Sequence, residues 1–485
     1  MEKLLDEAFV QREMTHWNIP GFAIAVCYQG QVLAEQGYGF RSLERGEPVT
    51  PFTLFDIASC SKSFTAAVLA SLVDEGTLEF DRPILEYLPD FRMMDPVATA
   101  QVTVRDMLYH RTGVAGHDAL WPDPSIDRKE YLRRIAFLRP NKPFRSATQY
   151  SNVMYGALGA IAEQITGKTW ENLVQERILT PLGMARTCLT VREMRRDPDY
   201  AVGYFERVRG GALSPMPPWE MDVGAPAAGV NSCVHEMMHW VMLHLNNGVW
   251  QGRRLFSERV MEQMHRGAVE KPGFRWVCAE VPACSAYGMG WKTAIYRGMR
   301  FVFHTGEIEG YGSIQILLPD RDLGLVLMVN KHEPFEAFVC TMAYTVIDRV
   351  LGLPPIDWAG RLHPFDDPMG KAQGDWNVNL LPQPPVPGTR PSHAPEACAG
   401  EYRNPAYGPA SVTCRDGGLT LHYKGWDFPL EHYHYDTFRV RELKEDTKFI
   451  TMPLTWHYCE TTGAIDGFFL KLEPELESEF FRREG

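Results

Sequence analysis

The sequence predicts an α/β (α+β) fold in which an antiparallel sheet is flanked by helices and joined to a helical lobe, followed by a small all-β barrel. Apolar strand-like runs lie at both ends of residues 1–352, with helical periodicity between them. Residues 353–395 are rich in proline, glycine and polar residues, which is typical of a stiff linker. Short alternating runs fill residues 396–485. We therefore divide the chain into a first domain, a linker and a barrel at these boundaries.

Strand signals frame the first domain. Residues 21–28 and 31–35 surround a Gln-Gly turn and predict a hairpin with a buried first strand. Residues 301–304, 313–318 and 324–329 predict three more strands near the end of the domain. Strands from both ends must then share one sheet, and a cleft between this sheet and the helical lobe is the natural place for a site.

Helical patterns occupy most of the segment between these strands, and two more lie at the ends of the domain. They cover residues 2–16, 102–109, 155–166, 170–179, 235–245 and 335–351.

The barrel is predicted from eight short runs about ten residues apart. They cover residues 412–414, 419–423, 428–433, 437–440, 448–452, 455–459, 467–472 and 479–482.

Charge and composition narrow the class of partner. A formal charge of -12 argues against nucleic acid or an anionic membrane. Ten cysteines without a dense framework are typical of reduced thiols. The first residues lack the apolar core of a signal peptide, and no apolar run reaches membrane-spanning length. These features predict a cytoplasmic protein.

The first chemical motif is Ser59 and Lys62, where a strand-like run gives way to an apolar helix. Residues three apart share one helix face, so the lysine nitrogen reaches the serine hydroxyl. A buried lysine loses proton affinity and becomes a base for a serine nucleophile, and the positive helix end favours an oxyanion at Ser59. Cys60 projects about 100° away round the helix and is expected to be a small core residue. The spacing also recurs by chance on solvated helices.

The second motif is Tyr150, Ser151 and Asn152, just before another apolar helix. A phenol beside a lysine ammonium is easier to deprotonate, so Tyr150 is a candidate to accept the serine proton or to pass it to a leaving group. The amide of Asn152 is suited to orient Lys62 and a substrate carbonyl. Taken alone, Tyr150 is better explained as a half-buried packing residue.

The third motif is His304, Thr305 and Gly306 at the end of a strand. Glycine lets a substrate lie against the strand edge. The next backbone N–H, on Glu307, is predicted to pair with that of Ser59 as an oxyanion hole.

Together and in this order, the three motifs resemble those of the beta-lactamase-related serine hydrolases. That family includes class C beta-lactamases, penicillin-binding DD-peptidases, D-aminopeptidases and esterases. Residues 19–22, 107–113, 228–232 and 287–291 also resemble family segments, so the resemblance covers about residues 5–350. The tail resembles the lipocalin-like barrel attached to some members.

The resemblance implies that Ser59 is acylated, that Lys62 and Tyr150 share the base role, and that Asn152 and His304 bind substrate. Beta-lactamases of this kind usually carry lysine where His304 stands, and a mostly neutral histidine is a weaker anchor for a carboxylate. DD-peptidases of the family can carry histidine there.

Two carboxylates lie beside the third motif. Glu307 and Glu309 add negative charge that suits a substrate with a free amine, as in aminopeptidases. The alternative is that both side chains point to solvent.

A competing motif is His235, Glu236 and His239, which fits the zinc-protease pattern. Glu258 or Glu262 is a candidate third ligand. The segment falls where the family has an ordinary packing helix, so we expect these groups to be surface or packing residues.

The sequence therefore predicts a serine hydrolase that forms an acyl-enzyme on amide or ester bonds of small peptides, amino-acid amides or esters, with D-configured substrates included. A carboxylesterase, a beta-lactamase or a DD-peptidase of the same fold is the alternative. A zinc metallohydrolase at His235 and His239, or a non-catalytic binding protein, is the alternative from another class. No cofactor and no metal are predicted. The expected partner is a small molecule or short peptide, and homo-oligomerisation, the acyl acceptor and the role of the barrel stay open.

Overall fold

The computed structural model describes residues 4–121, 126–206, 210–270, 280–281, 285–332, 335–366, 378–379, 381, 384–440 and 450–485. Its strands are β1 Gly21–Tyr28, β2 Gln31–Ser42, β3 Glu47–Pro48, β4 Phe55–Asp56, β5 Tyr204–Glu206, β6 Leu213–Pro215, β7 Asn231–Ser232, β8 Val249–Trp250, β9 Arg253–Arg254, β10 Val269–Glu270, β11 Ala286–Tyr287, β12 Lys292–Tyr296, β13 Met299–Ile308, β14 Tyr311–Leu318, β15 Leu323–Val329, β16 Val378–Asn379, β17 Gly400–Asn404, β18 Gly408–Arg415, β19 Gly418–Tyr423, β20 Trp426–His434, β21 Thr437–Val440, β22 Ile450–Tyr458, β23 Ile465–Leu470 and β24 Glu479–Arg483.

The helices are distributed over the first domain and the segment that follows it. They are α1 Glu7–Trp17, α2 Ser61–Asp74, α3 Pro96–Gln101, α4 Val104–Leu108, α5 Arg128–Ile135, α6 Asn152–Thr166, α7 Trp170–Val174, α8 Thr180–Leu182, α9 Val191–Met194, α10 Ala225–Ala228, α11 Val234–Leu245, α12 Glu258–His265, α13 Glu336–Val350, α14 Trp358–Leu362 and α15 Pro395–Cys398. Short 3-10 turns cover Ala58–Cys60, Ile84–Glu86, Asp118–Leu120, Pro319–Arg321 and His363–Asp366, and a π-helical turn covers Gln175–Leu179.

One antiparallel sheet joins the two ends of the first domain, as predicted. Its strand order is β10-β11-β12-β13-β14-β15-β1-β2-β3. Strand β1 lies between β15 and β2, and Ala25 is opposite Val326 on one side and Glu35 on the other. The tight β1–β2 connection has positive φ at Gln29 and Gly30, 49° and 71°, which matches the twist of a two-residue hairpin.

Strand β1 is buried on both faces, and its alternating residues pack against different layers. Phe22, Ile24 and Val26 belong to the core formed with α1 and α13. The small residues between them face the helical lobe, where α11 packs on the sheet. The sheet is therefore covered on both sides, which confirms the predicted α+β architecture with a helical lobe.

The C-terminal part is a closed barrel of eight strands, β17 to β24, with β22 paired to β23 and β17 paired to β24. The count of strands is as predicted, but two assignments differ. The predicted runs 448–452 and 455–459 correspond to the one strand β22, with residues 448–449 outside the described residues. Pro453 lies within β22. Because proline has no N–H to donate to a neighbouring strand, its presence in the sequence indicated a break between two strands. The strand β17 was missed because Tyr402 is its one apolar residue, and the other buried position of the alternation is the polar Asn404.

The segment that the sequence assigns to a linker begins with a packed helix. Trp358 of α14 is fully buried, and its indole N–H donates to Asp348 on α13 over 2.9 Å. This contact anchors the start of the segment on the first domain.

Candidate active site

Ser59 lies on a strained turn rather than inside an α-helix. The predicted single helix is a 3-10 turn, Ala58–Cys60, followed directly by α2. Ala58 has φ of 48°, a left-handed conformation that L residues rarely adopt. The carboxylate of Asp56 accepts the backbone N–H of Ala58 over 2.8 Å and holds this conformation. The turn therefore presents Ser59 at the start of α2.

The turn packs directly on strand β13, and Gly306 makes this possible. A Cβ at residue 306 would collide with the carbonyl oxygen of Ile57 and the hydroxyl of Ser313. Cys60 also donates to the carbonyl of His304 over 3.3 Å. The first and third sequence motifs are thus in contact.

Lys62 is fully buried, and its nitrogen reaches the nucleophile. Lys62 Nζ lies 3.0 Å from Ser59 Oγ and donates to the carbonyl of Ala227 over 2.9 Å. Burial lowers the pKa of Lys62 to about 7, with Asp118 opposing and Lys292 reinforcing the shift. A lysine with this pKa is a competent base near neutral pH.

Tyr150 is the second side chain in contact with Ser59 Oγ. Its hydroxyl donates to Ser59 Oγ over 3.0 Å, and Lys62 Nζ lies 4.9 Å from the centre of its ring. Burial raises the pKa of Tyr150 well above its ordinary value. This direction is opposite to the one expected from a neighbouring lysine ammonium, because desolvation is the largest contribution to the pKa shift. The role of Tyr150 in proton transfer stays a prediction.

Asn152 starts helix α6, and its amide is held by a carboxylate that the sequence analysis missed. Its Nδ2 donates to Asp118 Oδ1 over 2.9 Å. Because a carboxylate only accepts, the Oδ1 end of the amide is turned away from Asp118. That Oδ1 is buried without a partner among the residues that the structure describes, so it is an acceptor ready for a donor.

A lysine that the sequence analysis did not single out, Lys292, lies beside the third motif, where only His304 was expected. His304 is buried, with Nδ1 2.6 Å from the carbonyl of Thr305 and Nε2 3.0 Å from the hydroxyl of Tyr287. On the neighbouring strand β12, Lys292 Nζ donates to the hydroxyl of Thr305 over 3.0 Å. The cation beside this motif is therefore Lys292.

Glu307 is exposed near the end of β13, and Glu309 is half-buried beyond it. Strand β12 pairs with β13 only as far as Phe303, so the β12-facing edge of residues 305–307 lies beyond that pairing. The same residues 305–307 include Gly306, which packs against the turn that carries Ser59. The oxyanion hole formed by the N–H groups of Ser59 and Glu307 stays a prediction.

Comparison with known proteins addresses the fold and the family. Residues 7–347, well over half of the chain, match the family model described as Beta-lactamase. The chain belongs to the beta-lactamase family. Members of this family are serine hydrolases. Residues 384–483 match a second model, described as a domain of unknown function (DUF3471).

Individual relatives of this beta-lactamase-family chain are distant. Unguisins hydrolase ungD' of Aspergillus campestris (strain IBT 28561) is 26% identical over 430 residues, 83% of this chain and 77% of that protein. The octameric penicillin-binding protein homologue from Pyrococcus abyssi has a TM-score of 0.61 at 22% identity, covering 98% of this chain and 99% of that one. SurE, solved with D-Leu, has a TM-score of 0.56 at 21% identity, covering 98% of each chain. Both structures share the fold of this chain over the first domain and the barrel.

The competing metal motif lies on α11 of this family fold, and its residues make other contacts. His235 Nδ1 lies 2.9 Å from a carboxylate oxygen of Glu35. Glu236 accepts the backbone N–H groups of Arg186 and Thr187 over 2.8 and 2.7 Å. Within the described ranges, no group of three or more potential metal ligands is found.

Two residues beside the motifs were missed by the sequence analysis, and a third lies far along the chain. The signal for Lys292 was its position directly after the strand motif 287–291. Asp118 and the barrel residue Glu473 had no local signal, because only the folded chain brings them to the motifs.

No helix in the described part of the chain is long and apolar enough to cross a membrane.

Proposed function

We propose that this chain is a serine hydrolase that forms an acyl-enzyme at Ser59 and cleaves amide or ester bonds of small peptides, amino-acid amides or esters. One observation carries the proposal. Ser59 Oγ lies 3.0 Å from both Lys62 Nζ and the Tyr150 hydroxyl, so one oxygen contacts a base and a proton donor at once.

The first step is attack on the substrate carbonyl. Neutral Lys62 takes the proton from Ser59 as Oγ bonds to the carbonyl carbon, and the carbonyl π pair moves onto oxygen. The N–H groups of Ser59 and Glu307 then stabilise this oxyanion. The buried, low-pKa lysine supports this role because it is partly unprotonated near neutral pH.

The second step is departure of the leaving group. Tyr150 gives its proton to the leaving nitrogen or oxygen as the bond to the carbonyl carbon breaks, and the proton on Lys62 restores the phenol. Water then attacks the acyl-enzyme, gives a proton to the same pair and releases the acid with Ser59 regenerated. The raised pKa of Tyr150 keeps the phenol protonated near neutral pH, so a proton is available for the leaving group.

The preferred substrate class is peptide-like. A distant relative is named as a hydrolase, and SurE, which has a similar fold, was solved with D-Leu. The D-Leu in that structure favours amino-acid derivatives as substrates, D-configured ones included. The exposed carboxylate of Glu307 near the site supports a substrate with a free amine.

A second candidate, a beta-lactamase or DD-peptidase, is favoured by Lys292. Its nitrogen is held at the hydroxyl of Thr305 beside the cleft, where a cation suits a substrate carboxylate. A penicillin separates the candidates, since a lactamase turns it over, a penicillin-binding peptidase keeps an adduct, and an aminopeptidase or carboxylesterase does neither.

The proposal is tested by hydrolysis of a panel of chromogenic substrates. The panel pairs L- and D-amino-acid anilides with the matching esters and includes N-blocked versions of each. We expect turnover of at least one free-amine member by the wild type and none by Ser59→Ala. Full activity of Ser59→Ala would contradict the proposal. Loss of activity with a chelator would favour a metallohydrolase at His235 and His239, and no turnover or adduct at all would favour a binding protein.

Two further expectations accompany this function. Eight cysteines in the described part of the chain are free, which supports a reducing compartment such as the cytoplasm. Homo-oligomerisation is open, and the octamer belongs to the Pyrococcus abyssi homologue. Light scattering of the purified chain decides it.

A further inference from the structure

Three barrel side chains hold one turn of the helical lobe. The hydroxyl of Tyr407 lies 2.6 Å from His117 Nδ1. The carboxylate of Glu473 accepts the backbone N–H groups of His117 and Ala119 over 3.0 and 3.2 Å. Lys424 donates to the carbonyl of Ala119. These contacts come from three different barrel loops and meet on residues 117–119.

The held turn needs outside support. His117 has φ of 49° and ψ of 42°, a left-handed conformation that is unfavourable for a residue with a Cβ. The 3-10 turn Asp118–Leu120 has no side-chain cap at its start. Glu473 supplies acceptors at this point, on both sides of Asp118.

Asp118 connects the held turn to the candidate active site. Its Oδ1 accepts Asn152 Nδ2 over 2.9 Å. The neighbouring Gly116 carbonyl accepts the N–H of Val153 over 3.1 Å, so the same loop is fixed to the start of α6. Asp118 also lies close enough to Lys62 to influence its pKa.

We propose that the barrel completes the active site, with Glu473 holding the 117–119 turn so that Asp118 fixes the orientation of Asn152 beside Lys62. Glu473 and Asp118 are positioning residues. They act on the reaction through Asn152 and, for Asp118, through the pKa of Lys62, and they form no bond to the reacting atoms. The inference rests on the proposed acylation of Ser59 and assigns to the barrel a role in it.

A matched control lies on the same interface. Glu477 pairs with Arg139 over 2.9 Å, and their side chains are 79% and 61% exposed. This side-chain ion pair joins the barrel to the lobe, whereas the interaction of Arg139 with His117 is made by the Arg139 backbone, which Glu477→Ala leaves in place. Its removal therefore tests docking alone, since an exposed pair contributes little to stability.

The experiment measures the rate constant of Ser59 acylation by a fluorophosphonate in the full-length chain. Glu473→Ala is expected to slow acylation about tenfold or more, because displaced site groups commonly lose that much. Glu473→Gln keeps one acceptor oxygen and is expected to recover part of the rate. Glu477→Ala is expected to stay within about twofold of the wild type.

A double variant separates positioning from general destabilisation. In the background of Asn152→Ala, and at a pH well above 7 where Lys62 is neutral in every variant, the Glu473→Ala change is expected to have little further effect, because the group that it positions is gone. Slowing by the full factor in that background would overturn the inference, and so would a wild-type rate in Glu473→Ala alone.

A second readout does not depend on chemistry. Hydrogen exchange of the amides of residues 116–120 and 150–155 is expected to rise in Glu473→Ala and to stay unchanged in Glu477→Ala. A wild type that is not labelled by the fluorophosphonate would contradict the proposed function. The hydrogen-exchange comparison would still test whether Glu473 holds residues 117–119 and the start of α6, and unchanged exchange in Glu473→Ala would overturn this inference.

Discussion

Lys62 Nζ lies 3.0 Å from Ser59 Oγ, and the Lys62 side chain is wholly buried. Burial and the nearby Lys292 lower the pKa of Lys62 to about 7, while Asp118 limits the fall. A base and a nucleophile are therefore held in contact at a pKa that suits neutral solution. The proposed chemistry follows from this one relationship.

Removal of the lysine nitrogen tests the base directly. Lys62→Met keeps most of the buried volume and is expected to slow acylation by a fluorophosphonate about 100-fold or more, since a positioned base contributes about 10²–10⁴. The labelling rate is followed by intact-protein mass. Circular dichroism provides the control for folding. Labelling at the wild-type rate would contradict a base role for Lys62.

The rate of acylation is expected to depend on pH. Only neutral Lys62 accepts the serine proton, so the rate rises as pH increases through about 7. Lys292 lowers the pKa of Lys62, and its removal in Lys292→Gln is expected to raise that pKa and move the midpoint to higher pH. The measurement is a pH–rate profile of both proteins. A midpoint that moves to lower pH, or a flat profile, is the contrary result.

Gly306 is expected to be indispensable for packing of the nucleophile turn on β13. Gly306→Ala places a Cβ against the carbonyl of Ile57 and the hydroxyl of Ser313, and such overpacking costs about 1–3 kcal/mol. We expect a lower Tm and slower acylation. Gly418→Ala is the control, because that exposed site has only one neighbouring atom within contact range, at 3.3 Å. Equal behaviour of the two variants would show that the turn does not depend on this contact.

Cys60 is expected to be chemically silent. Burial raises the pKa of its thiol to about 12, so the thiolate is scarce at neutral pH. Cys60→Ala is expected to keep acylation within about threefold of the wild type, since the change removes only some packing and the weak hydrogen bonds of a thiol to His304 and Ser313. Peptide mapping of the labelled protein checks the position of the adduct. An adduct on Cys60 in the wild type would refute this assignment.

A buried ion pair outside the site makes a stability prediction. Lys331 Nζ and Glu206 Oε1 are 2.8 Å apart, and both side chains are almost fully buried. Lys331→Met leaves the Glu206 charge without this partner, which typically costs about 3–5 kcal/mol. The Tm of this variant is expected to fall by several degrees, and Lys331→Met combined with Glu206→Gln is expected to recover part of the loss. No recovery would show that lost packing rather than the orphaned charge sets the effect.

Local sequence patterns were sufficient for the sheet and the motifs. The strands around residues 21–28 and 324–329 were predictable because their apolar runs are long and bounded by turn residues. The start of helix α2 at Ser61, after a separate 3-10 turn, was not predictable, since the conformation of Ala58 depends on a hydrogen bond from its own N–H to Asp56 and on contact with β13. The strand β22 was divided in two because Pro453 interrupts its pattern.

The parts of the site that were not predictable are those that depend on long-range contacts. Asp118 meets Asn152 only after the lobe folds, and Glu473 arrives from the barrel more than 300 residues later. The protonation of Tyr150 depends on burial, which no single motif reveals. Residue types and their order therefore predicted the family and the proximity of Ser59, Lys62 and Tyr150, whereas burial sets the direction of the pKa shifts of Lys62 and Tyr150.

The measurement that tests the central claim most directly is the intact mass of the protein after treatment with a fluorophosphonate, for the wild type and for Ser59→Ala. We predict one adduct on the wild type, mapped to Ser59, and none on the variant. An equal adduct on both proteins, or none on the wild type, would contradict an activated nucleophile at Ser59.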